Sequence, residues 1–378
     1  MATAKSESTS TPNKLSAFSR MLQGEAAGIF VVVFFILFPF LFAWITGTSV
    51  IDGPSKFWQG QLISFFIMAI YAMSYDLVIG YSGILSFGHA AFFGGGAYTL
   101  GLFLKYFGAN ITNSYRVTIG SVNITEILLL IVGILLVILV SILLGLLFSA
   151  VSARVKGVYF AMISLAMADA LYILSKSTDL AKWTGADEGL HGVPVPVWIN
   201  PTQHRLLFYF VALAFCVIMY LLARRVVDSP TGRVFVALRE NESRVRMIGY
   251  DPLTYRTLAF VVSAVLAGLA GGLYSLWNMG ATPSMIGVST TINALIMTIL
   301  GGIGTLIGPI IGAGLMQIVG QFFYQWFGAR WPLVFGLIFI ALVVFLPYGI
   351  IGTFRMRKQS LKQGWNRLLG LVTGKKSQ

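Results

Sequence analysis

Three ionisable residues, Asp76, His89 and Asp169, lie within strongly apolar stretches of this chain. Ionisable side chains are costly inside a membrane, and those that occur there often mark substrate or ion pathways. Such groups could bind a polar solute or carry a coupling ion. The structural alternative is that Asp76 pairs with a neighbouring helix end and that His89 caps backbone groups.

Other chemistry is not indicated by the sequence. No paired catalytic residues stand out, so an enzyme is not expected. The three histidines, His89, His191 and His204, lie on different segments without the spacing of metal ligands. The stretch 370–377 (GLVTGKKS) has the wrong spacing and residue order for a phosphate-binding loop. We therefore predict no catalytic residues, no metal and no cofactor in this chain.

A glycine-rich stretch runs from Gly80 to Tyr98 and contains six glycines in nineteen residues. Glycine costs a helix interior about 1 kcal/mol relative to alanine. Broken backbone at membrane depth is tolerated only where protein buries it or where it lines a polar cavity. The stretch is therefore a candidate transport path, although its glycines could instead serve close helix packing. The residues predicted to line the path are Gly83, Ser86, Gly88, His89, Asn293 and Gly304.

A second glycine-rich segment resembles the first. The pattern Gly80-x-x-Gly83-x-Leu85 recurs as Gly301-x-x-Gly304-x-Leu306. It could be a remnant of internal duplication, which many transporters show. Two unrelated close-packing sites would explain it equally well.

The composition predicts an all-α, polytopic membrane protein. Of the 378 residues, 57% are hydrophobic and 10% charged, whereas soluble domains carry about 25% charged residues. A spanning helix needs about 20 apolar residues. This rule predicts ten spans: Gly28–Val50, Gly60–Ile79, Ala90–Phe107, Ile124–Val151, Gly157–Ser175, Leu206–Val227, Thr257–Trp277, two within Thr290–Phe327, and Trp331–Ile351.

The basic residues indicate the orientation. With both termini in the cytoplasm, the cytoplasmic segments hold 19 of the 26 lysines and arginines. The predicted organisation is a polar cytoplasmic arm (1–27), a transmembrane domain (28–352) and a basic cytoplasmic tail (353–378). The net charge of +13 fits orientation and anionic membrane lipid better than nucleic acid, because the basic residues lie between and beyond apolar runs.

The cytoplasmic segment 228–256, here named the coupling loop, carries apolar residues in a mainly charged stretch: Val234, Leu238, Val245 and Ile248. We predict a helix through Val234–Met247 that ends at Gly249, a favoured terminating residue. Such a helix suits docking into a partner's groove. Alternatively, it merely joins two spans.

Several motifs together resemble one transporter family. Residues 237–242 (ALRENE) with Gly249 resemble the coupling helix of ABC importer permeases, which touches the ATPase. The stretch Tyr81–Gly94 (YSGILSFGHAAFFG) resembles the hallmark of the branched-chain amino acid permeases. Further similar stretches, in the family's order, are 156–161 (KGVYFA), 184–190 (TGADEGL), 267–272 (AGLAGG) and 300–313 (LGGIGTLIGPIIGA).

The resemblance implies a subunit of a heteromeric importer in a bacterial inner membrane. A second homologous permease subunit would share the path, two cytoplasmic ATPases would bind ATP, and a periplasmic solute-binding protein would deliver the substrate. The residues implied in ATPase coupling are Ala237, Arg239, Glu240, Glu242, Arg244 and Gly249.

Two alternatives remain open from the sequence. Permeases for urea and short-chain amides share the same motifs, so the substrate is not fixed. An ion-coupled secondary transporter could instead use Asp76, His89 and Asp169 as coupling groups. The charged coupling loop argues against that class, because a secondary carrier has no need of an ATPase-docking helix.

Overall fold

The computed structural model describes residues 14–47, 49–50, 53–108, 118–119, 122–155, 157–345 and 349–353. Its all-α character confirms the predicted class. The helices are α1 Lys14–Thr46, α2 Pro54–Asp76, α3 Ala90–Leu102, α4 Ile124–Ser152, α5 Val158–Lys176, α6 Ala181–Thr184, α7 Arg205–Asp228, α8 Pro230–Glu240, α9 Glu242–Met247, α10 Pro252–Asn278, α11 Val288–Gly301, α12 Ile307–Phe327 and α13 Trp331–Phe345.

The strands are short and form two antiparallel pairs. β1 (Thr118–Ile119) pairs with β2 (Val122–Asn123). β3 (Leu190–His191) pairs with β4 (Gly280–Ala281), with Leu190 opposite Ala281 and His191 opposite Gly280. The second pair ties the segment that follows α6 to the C-terminal end of α10.

Among the described residues, seven stretches are long and apolar enough to cross a membrane: Gly28–Thr46, Pro54–Tyr81, Ile124–Ser152, Val158–Lys176, Arg205–Asp228, Pro252–Asn278 and Ile307–Thr353, the last of which runs across residues 346–348, outside the described ones. The number of such stretches is lower than the ten predicted spans because of three helices. The α3 and α11 helices are too short to span alone, with 13 and 14 residues. The last stretch contains both α12 and α13. Ten spans and cytoplasmic termini stay predictions.

The chain divides into two compact units, residues 1–59 and 60–378. In the first unit, α1 begins at Lys14, earlier than the sequence indicates, and contains Pro39. The Phe42 and Trp58 rings lie 6.2 Å apart, and the Gln59 amide donates to the Val50 carbonyl at 2.7 Å. The arm residues 1–13 and the tail 354–378 lie outside the described residues.

The core of the second unit is built by α3, α4 and α10, which pack closely on one another. Small residues make this possible. Gly96 of α3 lies directly against the backbone of Gly268 in α10, and Gly145 of α4 lies 3.0 Å from the Val261 Cα atom, measured from its virtual Cβ. Without hydrophobic drive between helices in lipid, such close backbone contact supplies the packing energy.

The glycine-rich stretch is broken over fewer residues than its composition suggests. The α2 helix continues into a π-helical turn over Leu77–Tyr81, and α3 begins at Ala90. The non-helical segment between them, residues 82–89, is here named the first break. The run of glycines at 94–96 lies inside α3, where it serves packing.

Candidate functional site

Asp76, at the end of α2, is fully buried and holds a distant segment by its carboxylate. One oxygen, Oδ1, accepts from the Gly304 N–H at 2.7 Å, and the other, Oδ2, accepts from the Leu306 N–H at 3.2 Å. Leu306 is the residue that precedes α12. In the structure, Asp76 thus pairs with a neighbouring helix end, the structural alternative to a role in transport that the sequence left open.

The segment that Asp76 holds, residues 302–306 between α11 and α12, is here named the second break. Its backbone needs unusual angles, with φ of +119° at Gly302 and +75° at Gly304. Only glycine adopts such angles without steric cost. The Thr305 hydroxyl links the two sides of the turn, because it donates to the Gly302 carbonyl at 2.8 Å and accepts from the Gly308 N–H at 3.0 Å.

Arg239 of α8 lies against both breaks. Its guanidinium donates to the Gly80 carbonyl. A Cβ placed on Gly83 would lie 2.7 Å from Arg239 Cγ and 3.3 Å from Arg239 Cα, and one on Gly304 would lie 3.2 Å from Arg239 Nη1. The two similar glycine patterns, Gly80–Gly83 and Gly301–Gly304, therefore converge on the coupling loop.

The coupling loop has a small core of its own. Val234, Leu238 and Val245 are buried, with Ala237 and Tyr255 packed against them. The predicted single helix is wrong in one respect: α8 ends at Glu240, and Asn241 caps a separate helix, α9, by accepting from the Arg244 N–H at 3.0 Å. Asparagine is a favoured N-cap residue, so the signal for this division was present in the sequence.

The remaining predicted coupling residues differ in their surroundings. Glu242 is mostly covered and pairs with Arg256 at 2.7 Å and with Arg246 at 3.3 Å, which ties α9 to α10. Gly249 has φ of +97° and donates to the Arg246 carbonyl, as a terminating glycine does. Glu240 and Arg244 are exposed, as are the apolar residues Met247 and Ile248 of the same loop.

Asp251 fixes the start of α10. Its carboxylate accepts from the Thr254 hydroxyl at 2.6 Å, the Thr254 N–H at 3.1 Å and the Leu253 N–H at 3.3 Å. These hydrogen bonds, led by that of the Thr254 hydroxyl, lower the pKa of Asp251 below its usual value. The charged form of the cap is therefore favoured in the folded protein.

His89 lies in an aromatic surrounding inside the second unit. It is fully buried, with Nε2 2.9 Å from the Ser74 hydroxyl and its ring 5.0 Å from Tyr75 and 5.3 Å from Phe92. Its Nδ1 has no hydrogen-bond partner among the described residues.

Ser86 and Gly88 are buried beside His89. The Tyr75 hydroxyl donates to the Ser86 carbonyl at 3.1 Å. Any Cβ on Gly88 would collide with the Ser164 carbonyl and lie 2.5 Å from Phe148 Cε1. Both positions are therefore closely packed within the subunit.

Asp169 and Asn293 lie elsewhere. The α5 helix buries Phe160, Ala161 and Ser164 and packs against α3, α4 and α11. Asp169 is exposed on α5, without a partner among the described residues. Asn293 is half-buried on α11. Among the residues that the structure describes, no hydrogen bond or ion pair joins Asp76, His89 and Asp169 to one another. The contact between Asp76 and the second break had no local signal in the sequence.

Multiple apolar spans, glycine-broken segments and a folded loop against them define the class as a multi-pass membrane permease. Residues 59–346 match the model of the family described as branched-chain amino acid transport system / permease component. The chain belongs to this family, whose members are transport subunits rather than enzymes. No solved structure matches it significantly.

Similar proteins with assigned roles extend this result. The chain is 25% identical over 323 residues to the high-affinity branched-chain amino acid permease protein LivM of Salmonella typhimurium, covering 79% of this chain and 70% of that one. It is 26% identical to the probable LivM of Methanocaldococcus jannaschii, covering 77% and 92%. A shorter match, 30% identical over 128 residues, links it to the ribose import permease RbsC of Haemophilus influenzae, covering 32% and 35%.

Proposed function

We propose that this chain forms half of the translocation path of an ABC importer for branched-chain amino acids in a bacterial inner membrane. Its partners are a second homologous permease subunit, two ATPases that bind ATP, and a periplasmic solute-binding protein. Support comes from the family match over most of the chain and from the roles assigned to the LivM relatives.

The observation that carries the proposal is the form of the coupling loop. A connector between two spans needs no core, yet Val234, Leu238 and Val245 form one. Because these residues are used inside the loop, the outward apolar residues Met247 and Ile248, 81% and 69% exposed, are left for a partner. The same loop exposes the charged Glu240 and Arg244. We assign this mixed surface to the ATPase.

The path itself is proposed to run along the surface of this chain and to close against the second permease subunit. Among the predicted lining residues, Gly83, Asn293 and Gly304 keep exposed or half-exposed positions, whereas Ser86, Gly88 and His89 are buried. We propose that the three buried residues pack behind the residues that line the path. Urea and short-chain amide permeases remain the alternative for the substrate.

Reconstitution tests the proposal. The complete complex in proteoliposomes should take up radiolabelled leucine only with ATP and the binding protein. Unlabelled urea or acetamide in excess should not compete. Uptake by the purified chain alone, driven by a proton or sodium gradient, would show instead that the chain is a secondary transporter.

A further inference from the structure

We propose that Asp76, Gly80, Arg239 and Gly304 form a mechanical joint through which movement of α8 shifts both glycine breaks at once. These four residues are here named the joint. The inference rests on the proposed docking of the ATPase to the coupling loop. It adds the path by which that docking reaches the membrane segments.

The first part of the joint is a rigid connection between the breaks. Both carboxylate oxygens of Asp76 accept hydrogen bonds from backbone N–H groups of the second break, from Gly304 at 2.7 Å and from Leu306 at 3.2 Å. Asp76 itself precedes the π-helical turn Leu77–Tyr81, which leads into the first break. A Cβ on Gly80 would lie 2.6 Å from the Gly304 nitrogen, so the two backbones are in direct contact there. One break cannot shift without the other.

The second part is the contact with α8. Arg239 donates to the Gly80 carbonyl, one turn after Asp76. The backbone of α8 also reaches the first break, because Arg239 Cα lies 3.3 Å from the virtual Cβ of Gly83. Gly83 has φ of +71°, which suits glycine. Arginine suits the position because its planar group presents several donors in a fixed geometry.

The third part is the stiffness of the loop that carries Arg239. The Ser229 hydroxyl caps α8 by accepting from the Gly232 N–H at 3.3 Å. The core of Val234, Leu238 and Val245 joins α8 to α9, and the Glu242–Arg256 pair joins α9 to α10. A push on the exposed face of α8 and α9 would therefore move Arg239 rather than deform the loop.

The joint predicts uncoupling without loss of docking. In the complete complex, Arg239→Ala should keep the ATPases bound and ATP hydrolysis running. Leucine uptake per ATP hydrolysed should fall about tenfold, the effect of losing roughly one charge-assisted hydrogen bond. Arg239→Lys, which keeps the cation, should restore part of the ratio. Arg225→Ala, an exposed arginine on α7 outside the coupling loop, is the control and should keep the wild-type ratio.

A double-mutant cycle locates the effect. Asp76→Asn and Arg239→Ala disturb the same joint, so the double variant should be about as uncoupled as the worse single variant. Independent, multiplying effects would overturn the joint. So would loss of ATPase co-purification in Arg239→Ala, which would make Arg239 a docking residue, and so would an unchanged ratio of uptake to hydrolysis. A wild-type complex without ATP-driven uptake would count against the proposed function instead.

Discussion

The Asp76 carboxylate accepts a hydrogen bond from the Gly304 N–H at 2.7 Å across 228 residues of sequence. Its second oxygen serves the Leu306 N–H, so both oxygens are occupied by backbone donors. A carboxylate is the side chain best suited to this task, because each of its oxygens accepts and neither donates. The stability of the second break therefore depends on a residue in a helix far from it in the chain.

Asp76→Asn should destabilise the fold. Asparagine has one acceptor oxygen and a donor amide group, so one of the two backbone N–H groups would face another donor. Leaving a buried donor unsatisfied costs about 1–3 kcal/mol. Unfolding of the purified chain in detergent, followed by intrinsic fluorescence, measures the change. Asp169→Asn is the matched control, since Asp169 is exposed, and a wild-type stability of Asp76→Asn would contradict the assignment.

Gly88→Leu should prevent folding rather than block an open path. Even the first carbon of a side chain would collide with the Ser164 carbonyl and come within 2.5 Å of Phe148. Overpacking a well-packed core costs about 1–3 kcal/mol, occasionally more. Here one of the obstructing groups is a backbone carbonyl, which cannot move aside as a side chain does. The yield of monodisperse protein after size exclusion tests this.

Gly336→Leu is the control for that substitution, because a Cβ at Gly336 meets nothing within 4 Å. It should give a normal yield. A Gly88→Leu variant that assembles fully but transports nothing would restore Gly88 to the lining of the path.

Two glutamates of the coupling loop, Glu240 and Glu242, should respond differently to charge reversal. Glu240→Lys changes an exposed side chain and should weaken ATPase co-purification at least about tenfold, with unchanged stability. Glu242→Lys places a cation beside Arg246 and Arg256 and should unfold the loop, seen as faster proteolysis. Glu188→Lys, exposed on the predicted opposite side, should leave ATPase binding intact. Equal behaviour of Glu240→Lys and Glu242→Lys would refute this division.

Asp251 gives a prediction for pH. Its pKa is lowered in the folded protein, so its contribution to stability is complete above the unfolded value of about 3.9 and is lost as the pH falls through the lower folded value. Asp251→Ala should lower the thermal midpoint at pH 7, and the difference from wild type should shrink at acidic pH. Asp251→Asn keeps a favourable cap without the charge. At neutral pH its midpoint should therefore fall less far below that of wild type than the midpoint of Asp251→Ala does, and thermal scans of the three proteins measure this.

The sequence was most informative where a feature depends on neighbouring residues. The apolar runs predicted the spanning helices, and Val234, Leu238 and Val245 predicted a helical coupling loop. The single helix failed at Asn241, where a local cap outweighs the continuing pattern. The burial of His89 and the hydrogen bond between Asp76 and Gly304 depend on tertiary contacts between remote segments. Such contacts cannot be predicted from composition and residue spacing.

The exposed carboxylate of Asp169 should affect how long the subunit survives in the membrane before it assembles. Asp169 lies about 17 Å from the start of a helix about 29 Å long, near its middle. An aspartate at the centre of a lipid-facing helix costs about 2.5–3.5 kcal/mol on insertion scales. An orphan subunit should thus be recognised by membrane quality control and degraded. Pulse-chase labelling should show a longer half-life when the second permease is co-synthesised, and Asp169→Leu should lengthen the half-life of the orphan alone.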